Sequence, residues 1–212
     1  MDELNVLNNS TYFSFTGVLM DNYRKFLEDK GYNVSEQWPE FKKRVIYRRF
    51  VRNEMIVTSG KRDANIYILE NGCIRYFSMN DGKEYTDKIL KAPTAFGSSF
   101  GITPNEVSIG NIQALTDSDI YILKSSDFEY MNKTYPGFRE IGERSFGEIM
   151  KARVIHGRKM IVMTPEERYP DFLENEAELI NLVPQYIIAS YLGIAPESLS
   201  RIRKRIFKKI SD

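Results

Sequence analysis

One cysteine, Cys73, and one histidine, His156, leave little material for redox or metal chemistry in this 212-residue chain. A single thiol cannot close an internal disulfide, and neither a four-cysteine iron–sulfur cluster nor a structural zinc site can be built from it. Haem ligation by Cys73 and His156 is not expected, because lone residues of these types in a hairpin and a helix ordinarily serve as core or surface groups. Long apolar runs are missing too: stretches such as Ile66–Leu69 and Met160–Met163 fall far short of the roughly 20 residues a membrane helix needs. The acidic start Met1-Asp2-Glu3 lacks the basic and apolar regions of a secretory signal. The expectation is a soluble, cytoplasmic protein with no membrane partner. There is no Gly-x-x-x-x-Gly-Lys-[Ser/Thr], Gly-x-Ser-x-Gly or His-Glu-x-x-His, so no enzyme, catalytic residue or bound metal is expected.

What is present is an ordinary globular balance, with 42% hydrophobic and 28% charged residues. The charge is segregated along the chain although 30 bases and 29 acids nearly cancel. From Thr164 to Glu178, Glu166, Glu167, Asp171, Glu174, Glu176 and Glu178 outnumber Arg168, whereas Pro196 to Ile210 is basic apart from Glu197. A further basic run, Lys42-Lys43-Arg44 with Arg48, Arg49 and Arg52, reads as a solvated face.

Hydrophobic spacing divides the chain. Val18 to Arg44 reads as mostly helical, interrupted at Gly31. From Val45 to Leu123 short β runs take over at Ile66–Leu69, Ile74–Phe77, Ile109–Leu115 and Ile120–Leu123. Asn71-Gly72 and Asn80-Asp81-Gly82 supply residues that tolerate positive φ at tight hairpins. Phe138 to Met163 reads as one long helix weakened by Gly142, Gly147 and Gly157; its apolar positions keep no clean heptad, so periodicity alone does not imply dimerisation. Thr164-Pro165-Glu166-Glu167 then restarts a helix, with threonine at the N-cap, proline at N1 and Glu167 completing a capping box.

Pro184 opens a helix through Tyr191, Leu192-Gly193-Ile194 breaks it, and Pro196 opens another. At roughly 100° per residue, Leu199, Ile202, Ile206 and Ile210 gather on one face of that last helix. Glu197, Arg201, Lys204 and Lys208 gather on the opposite face. Arginine can donate twice to guanine O6 and N7, glutamate can accept from cytosine N4, and serine at Ser198 can reach base or phosphate. Lys204, Arg205, Lys208 and Lys209 can neutralise phosphates. The competing reading is an ordinary surface helix in which Glu197 and Arg201 merely pair with each other.

The run Gln185-Tyr186-Ile187-Ile188-Ala189-Ser190-Tyr191-Leu192-Gly193-Ile194-Ala195-Pro196-Glu197-Ser198-Leu199-Ser200-Arg201 resembles the DNA-binding motif of the cyclic-AMP receptor/fumarate-nitrate regulator (Crp/Fnr) superfamily. Gly60, Tyr67-Ile68-Leu69, Asn71-Gly72 and Phe96-Gly97 follow the order of that family's effector domain. The resemblance implies an α+β fold: an amino-terminal antiparallel β-roll of cyclic-nucleotide-binding type (1–136), a long dimerisation helix (137–163) and a helix-turn-helix DNA-binding domain (164–212). Because the sequence stops at Asp212, the wing strand is expected to be truncated, absent or supplied from upstream.

The DNA-facing residues implied are Gln185, Tyr186, Pro196, Glu197, Ser198, Arg201, Lys204 and Lys208. Among these, Glu197 and Arg201 match the family's base readers, and Pro196 stands where another base reader often sits. Partners implied are double-stranded DNA and a second copy of the chain, with RNA polymerase and an unidentified small effector as further candidates. In the family's cyclic-nucleotide cassette, Ser98 stands in place of the ribose-binding glutamate and Ser108 in place of the phosphate-binding arginine. Without that cation cyclic AMP is disfavoured, and no cofactor is expected with certainty. If a pocket persists, Phe96, Gly97, Ser98, Ser99 and Ser108 line it, with Arg153 as an anion contact. The alternative function is a small-molecule-binding signalling module whose helical tail contacts another protein.

Overall fold

The computed structural model describes residues 20–98 and 107–211, with side chains as far as Ile206. Two short helices come first: α1 (Asp21–Asp29) and α2 (Trp38–Arg44). The break expected at Gly31 is there, with φ +84 closing the end of α1. No side chain of its own caps α1 at Met20. Instead the buried Glu70 carboxylate, from a strand, accepts from the Asn22 and Tyr23 backbone N–H groups at 2.7 and 3.1 Å. A carboxylate at the positive end of a helix satisfies orphan donors that would otherwise need water.

Among the described residues eight antiparallel strands follow: β1 (Val45–Phe50), β2 (Met55–Val57), β3 (Ile66–Asn71), β4 (Cys73–Asn80), β5 (Lys83–Lys91), β6 (Thr94–Gly97), β7 (Asn111–Ala114) and β8 (Ser118–Leu123). They form two four-stranded sheets, ordered β1-β8-β3-β6 and β2-β7-β4-β5. Phe50, Leu69, Ile74, Ile112 and Ile120 fill the space between the sheets. The side-chain period of two explains why β3 reads as an unbroken apolar run. Tyr67 and Leu69 point into the roll, whereas Ile68 packs outward with Trp38, Phe41 and Leu27 of the opening helices.

The two turn signals have different outcomes. Asp81 and Gly82, at φ 49 and 75, make a two-residue hairpin between β4 and β5, in which Asn80 pairs with Lys83. Asn71-Gly72 is not a hairpin: it carries the chain from one sheet to the other, since β3 pairs with β6 and β8 while β4 pairs with β5 and β7. Gly72 is needed there both for its φ of 101 and for space, because a Cβ would meet Ser118 Oγ and lie 2.7 Å from the Asp117 carbonyl oxygen. The strand expected over Ile109–Leu115 is shorter, with Ile109 outside it and 75% exposed.

Helix α3 (Ser125–Thr134) leads into the 27-residue α4 (Pro136–Val162), which accommodates Gly142, Gly147 and Gly157 without a break. Helix α5 (Pro165–Asn175) carries the capping box: the Thr164 backbone N–H donates to Glu167 Oε2 at 2.8 Å and the threonine hydroxyl at 2.9 Å. A 3₁₀ turn (Ala177–Ile180), α6 (Gln185–Tyr191) and α7 (Pro196–Ser211) complete the element order. Every strand among the described residues precedes α3, so none lies within the α5–α7 stretch itself.

Phe172, Leu179, Ile187, Leu192, Leu199 and Ile202 form the core of this last unit, and Cys73, Ile89 and Leu115 from the roll belong to the same cluster. The contact is pinned by hydrogen bonds. Ser190 Oγ accepts from the Thr86 backbone N–H at 2.9 Å and donates to the Glu84 carbonyl at 3.0 Å. It thus occupies β5, an edge strand, with one hydroxyl where a neighbouring strand would otherwise pair. Lys91 pairs with Glu178 across the same junction.

Candidate nucleic-acid interface and ligand cavities

The α6–α7 corner depends on Gly193 and Arg168. Gly193 adopts φ +61, and a Cβ there would lie 3.1 Å from Arg168 Nη1. That guanidinium donates to three carbonyls, Leu192 at 2.9 Å, Met160 at 2.8 Å and Met163 at 3.1 Å. It therefore ties the corner to the end of α4, satisfying helix-terminal acceptors that would otherwise lack donors.

Helix α7 divides as its periodicity requires. Leu199 and Ile202 are buried and Ile206 packs beside them, while Pro196, Glu197, Arg201, Lys204 and Arg205 are exposed. Ser198 is half-buried, and its Oγ accepts from Arg201 Nη2 at 3.1 Å. Among the described residues Glu197 and Arg201 make no ion pair with each other, and both residues are exposed. Gln185 and Tyr186 open α6 and are likewise exposed. The Lys208 side chain lies outside the described residues. Arg205 meets Glu166 at 3.2 Å, an exposed pair of small consequence.

The other basic run is a compensated surface. Arg44 pairs with Glu40 and Asp127, Arg48 with Glu54, and Arg49 with Asp117 and Asp119.

In the roll, the cassette serines are engaged with backbone. Ser108 is 1% exposed, and its hydroxyl reaches the carbonyls of Gly110 at 2.7 Å and Ser98 at 3.3 Å. The Ser98 hydroxyl donates to the Asp63 carbonyl. Phe96 stacks on Tyr67 at 5.1 Å, and the Gly97 carbonyl accepts from Tyr76 at 2.9 Å. Ser99 lies outside the described residues. Cys73 is wholly buried, and burial pushes its thiol up to about 12, which keeps it protonated and poorly suited to metal ligation.

Two cavities open beside α4. One, of about 490 Å³, lies between α1, α2, α3, α4 and the mouth of the roll, and includes Phe96 and Gly97. The other, of about 650 Å³, lies between β5, α4, α5 and α6, and includes Arg153 and His156. His156 stacks on Tyr191 at 4.5 Å, joining α4 to α6. Burial lowers its pKa; Lys159 and Arg168 push the same way and Asp87 opposes them.

A histidine held below its unfolded value contributes stability above that value, near 6.5, and loses it as the pH falls toward the folded pKa. Acidification from pH 7.5 to 5.5 should therefore weaken the seating of α6 on α4. His156→Phe, which keeps a stacking ring without a titrating nitrogen, should flatten that dependence in urea unfolding. An unchanged slope would remove His156 from the account.

The sequence does not mark Ser190 or Arg168 for the roles they play here. Ser190 carries no local signal, since a serine late in an apolar helix looks like any other. Arg168 shows in the sequence as the lone base in an acidic segment and within the Glu167-Arg168 to Phe172-Leu173 stretch that resembles the Crp/Fnr pattern, and neither signal gives its role at the corner.

Residues 47–135 match the cyclic nucleotide-binding domain family. Three solved structures share the architecture. A CooA mutant from Carboxydothermus hydrogenoformans is 21% identical, with 89% of this chain and 85% of that chain covered at a TM-score of 0.67. The c-di-GMP responsive global regulator CLP of Xanthomonas campestris is 12% identical, covering 82% and 91% at 0.67. A protein from Eubacterium rectale described as a transcriptional regulator of the Crp/Fnr family is 15% identical, covering 89% and 89% at 0.67. No curated protein matches the chain by sequence. The family match thus covers less than half of the chain, and the likeness to these three solved structures extends the shared fold over 82–89% of it. Among the described residues no helix is long and apolar enough to cross a membrane.

Proposed function

We propose that this protein is a DNA-binding transcription regulator that acts as a homodimer in the cytoplasm, with α7 entering the major groove and the roll region receiving a small effector. The observation that carries the reading is the division of α7. Leu199 and Ile202 are buried at 2% and 3% exposure, and Glu197, Arg201 and Lys204 stand outward on the opposite side. A helix anchored in this way presents a rigid row of donors and acceptors at the pitch of base edges. Its regulator-like fold supports the same reading, as does the naming of CLP as a c-di-GMP responsive regulator, which supports effector control as a category.

Dimerisation is supported by α4. Phe146, Met150, Val154, Gly157 and Ile161 recur three or four residues apart on one side, and Val154 and Ile161 are 71% and 85% exposed. An apolar stripe left in water along a helix is an interface seeking a partner. Pairing two copies sets two recognition helices to half-sites about 34 Å apart.

The test is a fluorescence titration on duplexes retained by the purified protein from sheared genomic DNA. Binding should weaken steeply with salt, with a log–log slope of about −0.9 per phosphate neutralised. Lys204→Ala should make the slope shallower by about one per subunit and weaken all duplexes alike. Salt-independent or absent binding would remove DNA as the partner.

A further inference from the structure

The larger question about the roll is what it would bind, since its cassette serines are closed on backbone carbonyls. The 490 Å³ cavity shares Phe96 and Gly97 with that cassette but neither Ser98 nor Ser108. It lies on the side of the β1-β8-β3-β6 sheet covered by α1 and α2 and runs along α4 to the roll's mouth. Trp38, Phe41, Phe128, Phe138 and Phe146 dominate its walls, and its size is that of a small-molecule site. Apolar space of this size is a cost when empty and draws an apolar occupant, because water finds few hydrogen-bond partners in it.

The charged lining groups are unequal. Arg139 and Glu143 are solvent-exposed neighbours of opposite charge, 3.9 Å apart on α4. Lys88 is different. It is carried on β5 opposite Tyr76, lines both cavities, and has no carboxylate partner among the described residues. Burial disfavours its ammonium, and the Arg153 guanidinium disfavours it further. An anion placed there would offset both penalties, whereas a second cation would deepen them.

We infer that this cavity binds an apolar molecule with one anionic end, its body among the aromatic side chains and its charged head at Lys88. The inference rests on reading the chain as an effector-controlled regulator, and it names the chemistry of that effector. A fatty carboxylate is the simplest member of the class.

Trp38 is the chain's only tryptophan and lines the cavity, so its emission reports occupancy directly. Decanoate, decanol and decyltrimethylammonium, titrated into the full chain without DNA, compare three head charges on one tail. Decanoate should give a saturable change in Trp38 emission at a concentration at least about tenfold below that for the cation, the equivalent of one such charge contact. Lys88→Met should erase the preference for decanoate over decanol while leaving decanol binding in place. Gly142→Phe fills the cavity from α4, where a Cβ would meet only Asn132 Oδ1 at 4.0 Å, and should abolish binding of all three. Ser145→Phe is a second filling variant, used if the first does not unfold cooperatively. No saturable change with decanoate, an undiminished carboxylate preference in Lys88→Met, or full binding by a folded filling variant would overturn the inference. A chain that binds DNA but none of the probes fails this inference alone, and one that binds decanoate but no DNA fails only the proposed function.

Discussion

Replacing Val154 and Ile161 together by aspartate should turn the protein into a folded monomer that binds its operator about 10²–10⁴-fold more weakly. Both side chains are largely exposed, at 71% and 85%, so the substitutions remove nothing from a subunit's own core. Far-UV circular dichroism should be unchanged. The loss comes from linkage: two tethered recognition helices engage their half-sites with a high effective concentration, and separated subunits forfeit it. Two like charges facing their copies across the stripe also disfavour re-association. Sedimentation equilibrium beside the DNA titration reads both effects. A variant that stays dimeric would place the interface elsewhere than α4, and a monomer with undiminished affinity would remove dimerisation from the mechanism.

Phe172→Ala should lower stability by about 3–5 kcal/mol, the range for a fully buried phenylalanine. The side chain is 1% exposed and lies between Tyr169 and Tyr191, with ring centroids 6.4 and 6.3 Å away. At roughly 2–4 °C per kcal/mol for a chain of this length, the melting temperature should fall by about 6–20 °C. The mode of unfolding is equally informative. Cys73, Ile89 and Leu115 of the roll share one cluster with Phe172, and Ser190 holds the β5 edge. The wild-type chain should therefore unfold in urea as one transition. Phe172→Ala should separate an early loss of the α5–α7 unit from a later loss of the roll. A shift below about 1 kcal/mol would mean that the site collapses around the missing ring and that this core is not close-packed.

The carboxy-terminal corner was readable because every local signal there agrees. Thr164 and Glu167 cap α5, Pro184 and Pro196 open the next two helices, Gly193 supplies the positive φ between them, and Leu199 and Ile202 keep helical spacing. The roll was readable in part. Strands buried on both faces, such as β3, announce themselves as apolar runs, whereas β5 holds Lys83, Glu84, Asp87, Lys88 and Lys91 and offers no such run. It is an edge strand whose partner on one side is a serine hydroxyl from α6, a fact with no trace in its own sequence.

Asn71-Gly72 misled for a related reason. A positive-φ glycine after a strand marks a reversal of direction, and whether the chain then re-enters the same sheet or crosses to the other depends on packing against Ser118. The aromatic cavity was legible only at Phe96, expected to line a pocket, because Trp38, Phe128 and Phe146 come from separate stretches that only the closed fold brings to it.

The outward face of α7 is expected to read bases as well as phosphates. The direct measurement is the affinity of wild type and Arg201→Ala for a set of duplexes in which each operator position is changed singly, all at one salt concentration. The prediction is that Arg201→Ala loses about 1–3 kcal/mol of discrimination at one base pair per half-site and keeps the rest of the profile. A variant that weakens on every duplex equally, with its base preferences intact, would contradict the assignment and leave Arg201 as a phosphate contact.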